Sequence, residues 1–157
     1  MARILVNLLS FTGTKGGMET YTRALYEEFA AMGTGHEFIG FASTEFMARD
    51  HSWFPGRVID SGVSGENRFV WAFGELFLVA RAARRKKANL IHNPATLGPW
   101  RSRVPAVYTM HDMLYFRAPE HMATPLYTKP VQWMEKRAAG NASVIITDSI
   151  ASAEDIE

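Results

Sequence analysis

Between an apolar run and a helical pattern stands the segment Gly13-Thr14-Lys15-Gly16-Gly17-Met18-Glu19-Thr20. Glycines let backbone N–H groups approach an anion without a Cβ in the way, and a helix N-terminus adds partial positive charge. A diphosphate lying over Gly16 and Gly17, with Lys15 beside them, is the chemistry such a turn offers. The segment is neither a GxGxxG dinucleotide fingerprint nor a GxxxxGK[ST] phosphate loop. A ligand-free surface loop has the same composition, so both readings stand.

His111-Asp112 follows the apolar run Val107-Tyr108-Thr109-Met110. A histidine there can exchange a hydrogen bond with a hydroxyl and changes charge near neutral pH. It can equally tie down the following loop through a backbone carbonyl. If the strands are parallel, His111 and the glycine segment share the carboxyl edge of one sheet, where open α/β sheets bind ligands. His92 and Asn93 end another strand at that edge, and strand-end packing explains them. His36, His51 and His121 show no metal-ligand spacing, so no metal site is expected. No GxSxG elbow is present. Tyr115 and Phe116 suit either an acceptor wall or a core cover.

Arg81, Arg84, Arg85, Lys86 and Lys87 close a long helical pattern. Cations at a helix C-terminus complement the macrodipole. A cluster of this kind also suits anionic lipid headgroups, which makes peripheral membrane contact the second reading.

The elements that must position these groups alternate. Arg3 to Leu9 reads as a fully buried strand, and Met18 to Met32 as a helix with Tyr21, Leu25, Phe29 and Met32 in a stripe, ended by Gly33 and Gly35. Strands are predicted at His36 to Ala42, Arg57 to Asp60, Asn89 to His92, Ala106 to Met110 and Val144 to Thr147. Helices are predicted over Phe69 to Lys87, with Phe69, Phe73, Leu76, Phe77 and Ala80 on one side, and over Pro125 to Ala139, with an irregularity at Pro130. Ser149 and Ser152 are candidate N-caps, Ser152 and Asp155 having capping-box spacing. A helix starting so near Glu157 suggests a chain cut short. The pattern implies one α/β domain over residues 1–157, a Rossmann-like parallel sheet with helices on both faces.

The 157 residues are 47% hydrophobic and 21% charged, which argues against disorder. A formal net charge of +1 supplies no global field towards nucleic acid. Absence of cysteine excludes a disulfide scaffold and a thiolate zinc site. The apolar runs at Ile4 to Leu9 and Phe69 to Ala80 are too short for a signal peptide's core and a membrane span, so a soluble, cytoplasmic location is expected, with membrane contact at most peripheral.

Taken in order, Arg3-Ile4-Leu5-Val6, Gly16-Gly17-Met18-Glu19-Thr20-Tyr21, Val107-Tyr108-Thr109-Met110-His111-Asp112-Met113 and Ala142-Ser143-Val144-Ile145-Ile146-Thr147-Asp148-Ser149 resemble the N-terminal half of the family 4 (group 1) retaining glycosyltransferases of GT-B fold. The resemblance spans essentially the whole chain. It implies an acceptor-side Rossmann-like domain that faces a second, nucleotide-sugar-binding domain across a cleft. The implied reaction transfers a hexosyl group from a nucleotide-diphosphate sugar to a carbohydrate or lipid-linked acceptor, with retention and without a metal or cofactor. Carried over residue by residue, the glycine pair is Gly16 and Gly17, contacting donor diphosphate or acceptor. The histidine reaching the transferred sugar is His111. Lys15 and Asp112 join these as candidate binding residues. The family's E-x7-E motif and basic pair belong to the second domain, and no such motif follows here before the chain ends in the cut helix, so little activity is expected of this chain alone. Met113 stands where the family commonly has leucine, a swap that conserves volume. A stand-alone binding module for a phosphorylated small molecule remains the alternative, and a membrane-surface adaptor a third reading.

Overall fold

A computed structural model describes residues 1–14, 16–111, 114–117 and 125–156. Six parallel strands form one sheet: β1 (Arg3–Leu8), β2 (Glu37–Ala42), β3 (Arg57–Asp60), β4 (Leu90–Asn93), β5 (Ala106–Thr109) and β6 (Val144–Ile146), in the order β3-β2-β1-β4-β5-β6. The order reverses between β1 and β4, leaving a crevice at their carboxyl ends, where doubly wound sheets bind ligands. The predicted α/β Rossmann-like sheet with helices on both faces is what the chain forms.

Alternation along β1 divides the core. Leu5 and Leu9 pack with Ile91, Tyr108, Val79, Ala83 and Ala138 on one face. Val6 and Leu8 pack with Tyr26, Phe38, Phe46 and Phe54 on the other. Helix α1 (Gly17–Met32) covers this second face. It ends at Gly33, whose left-handed φ of 57° lets its N–H reach the Ala30 carbonyl. Its inward line is Thr22, Leu25, Tyr26 and Phe29. Met32, assigned to the buried stripe from sequence, is 70% exposed because it lies past the last turn that meets the sheet. A short helix not anticipated from sequence, α2 (Thr44–Met47), follows β2 and is capped by the Ser43 hydroxyl, which accepts from the Phe46 N–H.

The helix expected over Phe69 to Lys87 is three segments, α3 (Arg68–Phe73), a π turn (Gly74–Leu78) and α4 (Val79–Arg85). Asn67 caps α3, its side-chain oxygen accepting from Phe69 and Val70. The π turn closes where the Val79 N–H reaches back five residues to the Gly74 carbonyl. Its wide turn directs both Gly74 and Glu75 inward, ahead of Val79, Ala82 and Ala83. Gly74 is needed there, since a Cβ would lie 3.0 Å from both Leu9 and Val63. Phe69, Phe73 and Phe77 do share one side, but it is the exposed side. The inward side of α3–α4 combines small residues and one glutamate with the partly buried Trp71 and Leu78.

Beyond β5 come α5 (Leu114–Arg117), α6 (Pro125–Asn141) and α7 (Ile150–Ile156). Helix α6 runs continuously through Pro130. Ser149 caps α7, its hydroxyl accepting from the Ser152 N–H at 3.1 Å. Ser152 is therefore no cap but the third residue of the helix, and its hydroxyl donates to the His111 carbonyl at 3.1 Å. Asp155, its expected box partner, pairs instead with Arg117. No helix among the described residues is long and apolar enough to cross a membrane.

Candidate functional site

A cavity of about 480 Å³ opens at the crevice between β1 and β4. Ser10, Thr12 and Thr14 from the β1 loop line it, with Gly65, Glu66 and Arg68 from the β3–α3 connection, Ala95 to Leu97 from the β4 loop, and Trp71, Val131 and Glu135 from the flanking helices. The lining combines hydroxyls, carboxylates, a guanidinium and an indole.

Its walls are held by side chains some distance away in sequence. The Glu45 carboxylate accepts from the Ser64 hydroxyl at 2.5 Å and from the Gly65 N–H at 2.8 Å. Desolvation is the largest single influence and raises the Glu45 pKa, but these bonds, with those from its own N–H and the Thr44 hydroxyl, together outweigh it and bring the group down to about 2. Gly65 itself is wedged against the β1 loop, where a Cβ would come within 2.5 Å of the Leu9 carbonyl oxygen and 2.7 Å of Thr12.

A buried polar chain underlies the cavity. The Trp71 indole N–H donates to Glu75 at 3.1 Å, and the Asn7 side-chain amide donates to the other Glu75 oxygen at 2.6 Å and to Asn93 at 3.1 Å. Asn7 in turn accepts from the Leu9 N–H at 3.2 Å, which fixes which end of its amide faces Glu75. Burial pushes the Glu75 pKa up to about 7, although both hydrogen bonds favour the carboxylate. Among the described residues, Asn93 Nδ2 and the Tyr108 hydroxyl lie buried without a hydrogen-bond partner beneath Gly98, whose Cβ would lie 2.8 Å from that hydroxyl. Burial, then the charge of Glu75, raises the Tyr108 pKa.

Of the candidate segment Gly13 to Thr20, Thr14 and Met18 line this cavity, whereas Gly16, Gly17 and His111 stand outside the lining. Gly16 precedes α1 with φ of 58°, a left-handed conformation that favours glycine. Gly17 begins the helix, and a Cβ on either glycine would meet nothing within 4 Å. Two amides of the loop are already used: Thr12 and Gly13 donate to Glu19 Oε1 at 2.9 and 2.8 Å. The Arg49 guanidinium lies against Gly13, so a cation stands beside the turn. Lys15 and Asp112 lie outside the described residues, as do Met113 and His121, and the side chain of Tyr115 is likewise undescribed. Phe116 sits beneath the Lys136 ammonium, 5.4 Å from its ring centre.

His111 stands at the carboxyl end of β5 beside α1, its ring edge-on to Tyr21 at 5.0 Å. Its Nε2 lies 3.0 Å from the Pro94 carbonyl and its Nδ1 3.1 Å from Asp148. Both partners only accept, so the imidazolium satisfies the two together and a neutral ring satisfies one. The residue therefore bridges the ends of β4, β5 and β6. His92 is packed at its strand end, sharing hydrogen bonds with the Tyr26 hydroxyl at 2.5 Å and Thr109 at 3.3 Å. Burial lowers its pKa to about 4, which keeps it neutral.

Trp71, Glu75, Asn7 and Glu45 were not singled out from sequence as site residues. A signal existed for two of them: Asn7 and Glu75 are polar residues inside otherwise apolar runs, and such residues are buried only with partners. Among the described residues, no three His, Asp or Glu side chains come together as a metal site would require.

Among curated proteins no match is found. The family model of Glycosyltransferase Family 4 matches residues 15–157, a span that takes in α1, the cavity-lining loops after β3 and β4, and His111. By that match the chain is a member of Glycosyltransferase Family 4, with a Rossmann-like α/β fold.

Proposed function

We propose that this chain is the acceptor-side, N-terminal half of a GT-B enzyme that moves a hexosyl group from a nucleotide-diphosphate sugar to a carbohydrate or lipid-linked acceptor, with retention. The observation that carries the reading is the cavity at the β1/β4 crevice, whose hydroxyls, carboxylates and Trp71 suit a hydroxyl-rich acceptor. Carboxylates and hydroxyls can orient sugar hydroxyls, while an indole supplies apolar contact for C–H groups.

In this reading the anomeric bond to the diphosphate breaks as the bond to the acceptor oxygen forms on the same face, and the acceptor hydroxyl's proton passes to the departing diphosphate oxygen. Gly16 and Gly17 let the diphosphate approach the first turn of α1, whose N–H groups and partial positive charge favour the leaving group, with Lys15 and Arg49 adding cationic charge. His111, its ring nitrogens held by Pro94 and Asp148, contacts the sugar being transferred, and Asp112, next to it in sequence, is the companion binding residue. The reaction uses no divalent metal or other cofactor, and a nucleotide-sugar-binding domain completes the cleft, so this chain alone transfers little.

The test is a transfer assay on the full-length protein with a panel of nucleotide sugars and oligosaccharide or lipid-linked acceptors. The coupling constant of the new anomeric proton reads the stereochemistry. An inverted product would sink the retaining mechanism. Tight binding of phosphorylated metabolites by this chain alone, with no transfer from any donor, would favour the binding-module alternative.

A further inference from the structure

The long helical unit α3–α4 carries an apolar ridge on its outer side. Phe69 is 89%, Phe73 55% and Phe77 49% exposed. The rings continue across the surface without a break: Phe73 to Phe77 at 5.3 Å, Phe77 stacked on Trp100 at 6.4 Å, and Trp100 edge-on to Trp133 at 5.0 Å. Beside them runs a groove of about 870 Å³, into which Arg81 and Arg84 project from α4 and Arg101 and Arg103 from the β4–β5 connection. Among the described residues the groove lining contains no carboxylate, and none of these four guanidinium groups forms an ion pair or hydrogen bond. The basic run noted in the sequence is thus divided. Arg84 joins arginines from a distant loop, Arg85 and Lys86 line a separate hollow with Asp60, and Arg81 stands between the two and lines both.

We propose that this face docks on an anionic lipid bilayer, with the phenylalanine ridge entering the headgroup–acyl boundary and the four arginines taking lipid phosphates. Exposed aromatics next to unpaired cations are the two components of interfacial binding, and neither is consumed inside the domain. The ridge is built of phenylalanine with Val70 at its margin, which suits acyl chains. A near-neutral chain with pI near 8.1 lacks the strong basic excess of a nucleic-acid binder. Phe69, at one end of the ridge, adjoins Arg68 of the cavity lining, so docking on this face brings the cavity mouth near the membrane surface. The proposal adds to the functional reading the surface from which a lipid-linked acceptor arrives.

The experiment is vesicle co-sedimentation of the full chain, which needs no sugar transfer and so fails or succeeds independently of the enzymatic reading. Phosphatidylcholine vesicles are compared with vesicles that also contain phosphatidylglycerol, at low and high salt. Partition onto anionic vesicles alone, weakened by salt, is expected. Substituting R81Q and R101Q together should lower it by roughly 30-fold at low salt, and F73S with F77S by about tenfold or more. These are surface positions, and circular dichroism with thermal melting checks that each variant folds. Should a variant unfold, the salt and lipid dependence of the wild-type chain decides. Equal binding to neutral vesicles, no binding to either, or partition unaffected by folded variants would overturn the proposal. So would a dimer, seen by analytical ultracentrifugation, that the phenylalanine substitutions break, or retention on a single-stranded oligonucleotide in place of vesicles.

Discussion

The Asn7 side-chain amide donates to Glu75 across 2.6 Å, tying the first strand to the π turn beneath the cavity. One buried layer away, across the sheet, His92 meets Tyr26. Glu75 and His92 are both shifted by burial, one up to about 7 and the other down to about 4, and their effects on stability oppose each other. A carboxyl raised from 4.5 to about 7 gives stability that is fully present below 4.5 and lost as pH rises through about 7. A histidine lowered from 6.5 to about 4 gives stability that is present above 6.5 and lost as pH falls through about 4. Between about pH 4.5 and 6.5 the two slopes offset each other.

Single substitutions should uncover them. Relative to the wild-type chain, Glu75→Gln should make stability rise with pH across that window, by about 2 to 3 kcal/mol in total. His92→Gln should make it fall with pH by a similar amount. Urea unfolding at about pH 4.5 and about pH 6.5 reads both slopes, whatever the variants lose in absolute stability. Parallel curves for all three proteins would show that neither group is buried in the state assigned to it.

Gly65 is the tightest point of the cavity wall, and its neighbours there are backbone and a β-branched side chain. Gly65→Ala should cost about 1 to 3 kcal/mol, because the new methyl must push the Leu9 carbonyl and Thr12 aside. The same displacement should raise the KM for acceptor in the full-length enzyme while leaving that for donor unchanged. Denaturant unfolding and two-substrate kinetics check the two halves. A variant as stable as wild type would show that the β1 loop yields freely.

Much of this architecture was legible in the sequence because each strand carries a short apolar run bounded by polar or turn residues. β3, predicted at Arg57 to Asp60, begins and ends there. The α3–α4 unit was legible as a helix but not as a surface. Its three phenylalanines face out and a glutamate faces in, reversing the polarity by which a stripe is normally assigned. What reverses it is the π turn together with Asn7, and no local pattern announces a π turn. Around the glycine segment, sequence showed the flexible backbone but not that Glu19, one turn into α1, occupies two of its amides. His111 was found by its place after a strand. Its anchors, Pro94 and Asp148, come from two other strand ends and become neighbours only once the sheet has formed.

His111 offers a direct separation of chemistry from tethering. In the proposed role, His111→Ala in the full-length enzyme should lower kcat by about a hundredfold or more. Asp148→Asn, which alters an anchor but leaves the imidazole in place, should lower it by less. Steady-state kinetics distinguishes the two variants. If both simply lower the melting temperature and leave kcat intact, His111 is a tie between strand ends.

Gly17 gives the sharpest distinction between a structural and a ligand-directed residue. Its Cβ would meet nothing within 4 Å, and unlike Gly16 it does not have a positive φ. Nothing in this domain therefore requires glycine at the first position of α1. Alanine is the better helix former by up to about 1 kcal/mol, so Gly17→Ala should leave stability unchanged or slightly raised. If the diphosphate approaches this turn, the added methyl stands in its path, and the donor KM in the full-length enzyme should rise by about tenfold or more. Acceptor KM should stay near wild type, since Gly17 does not line the acceptor cavity. A stable variant with unaltered donor kinetics would remove the glycine pair from the donor site and leave Gly16 as a helix-capping residue alone.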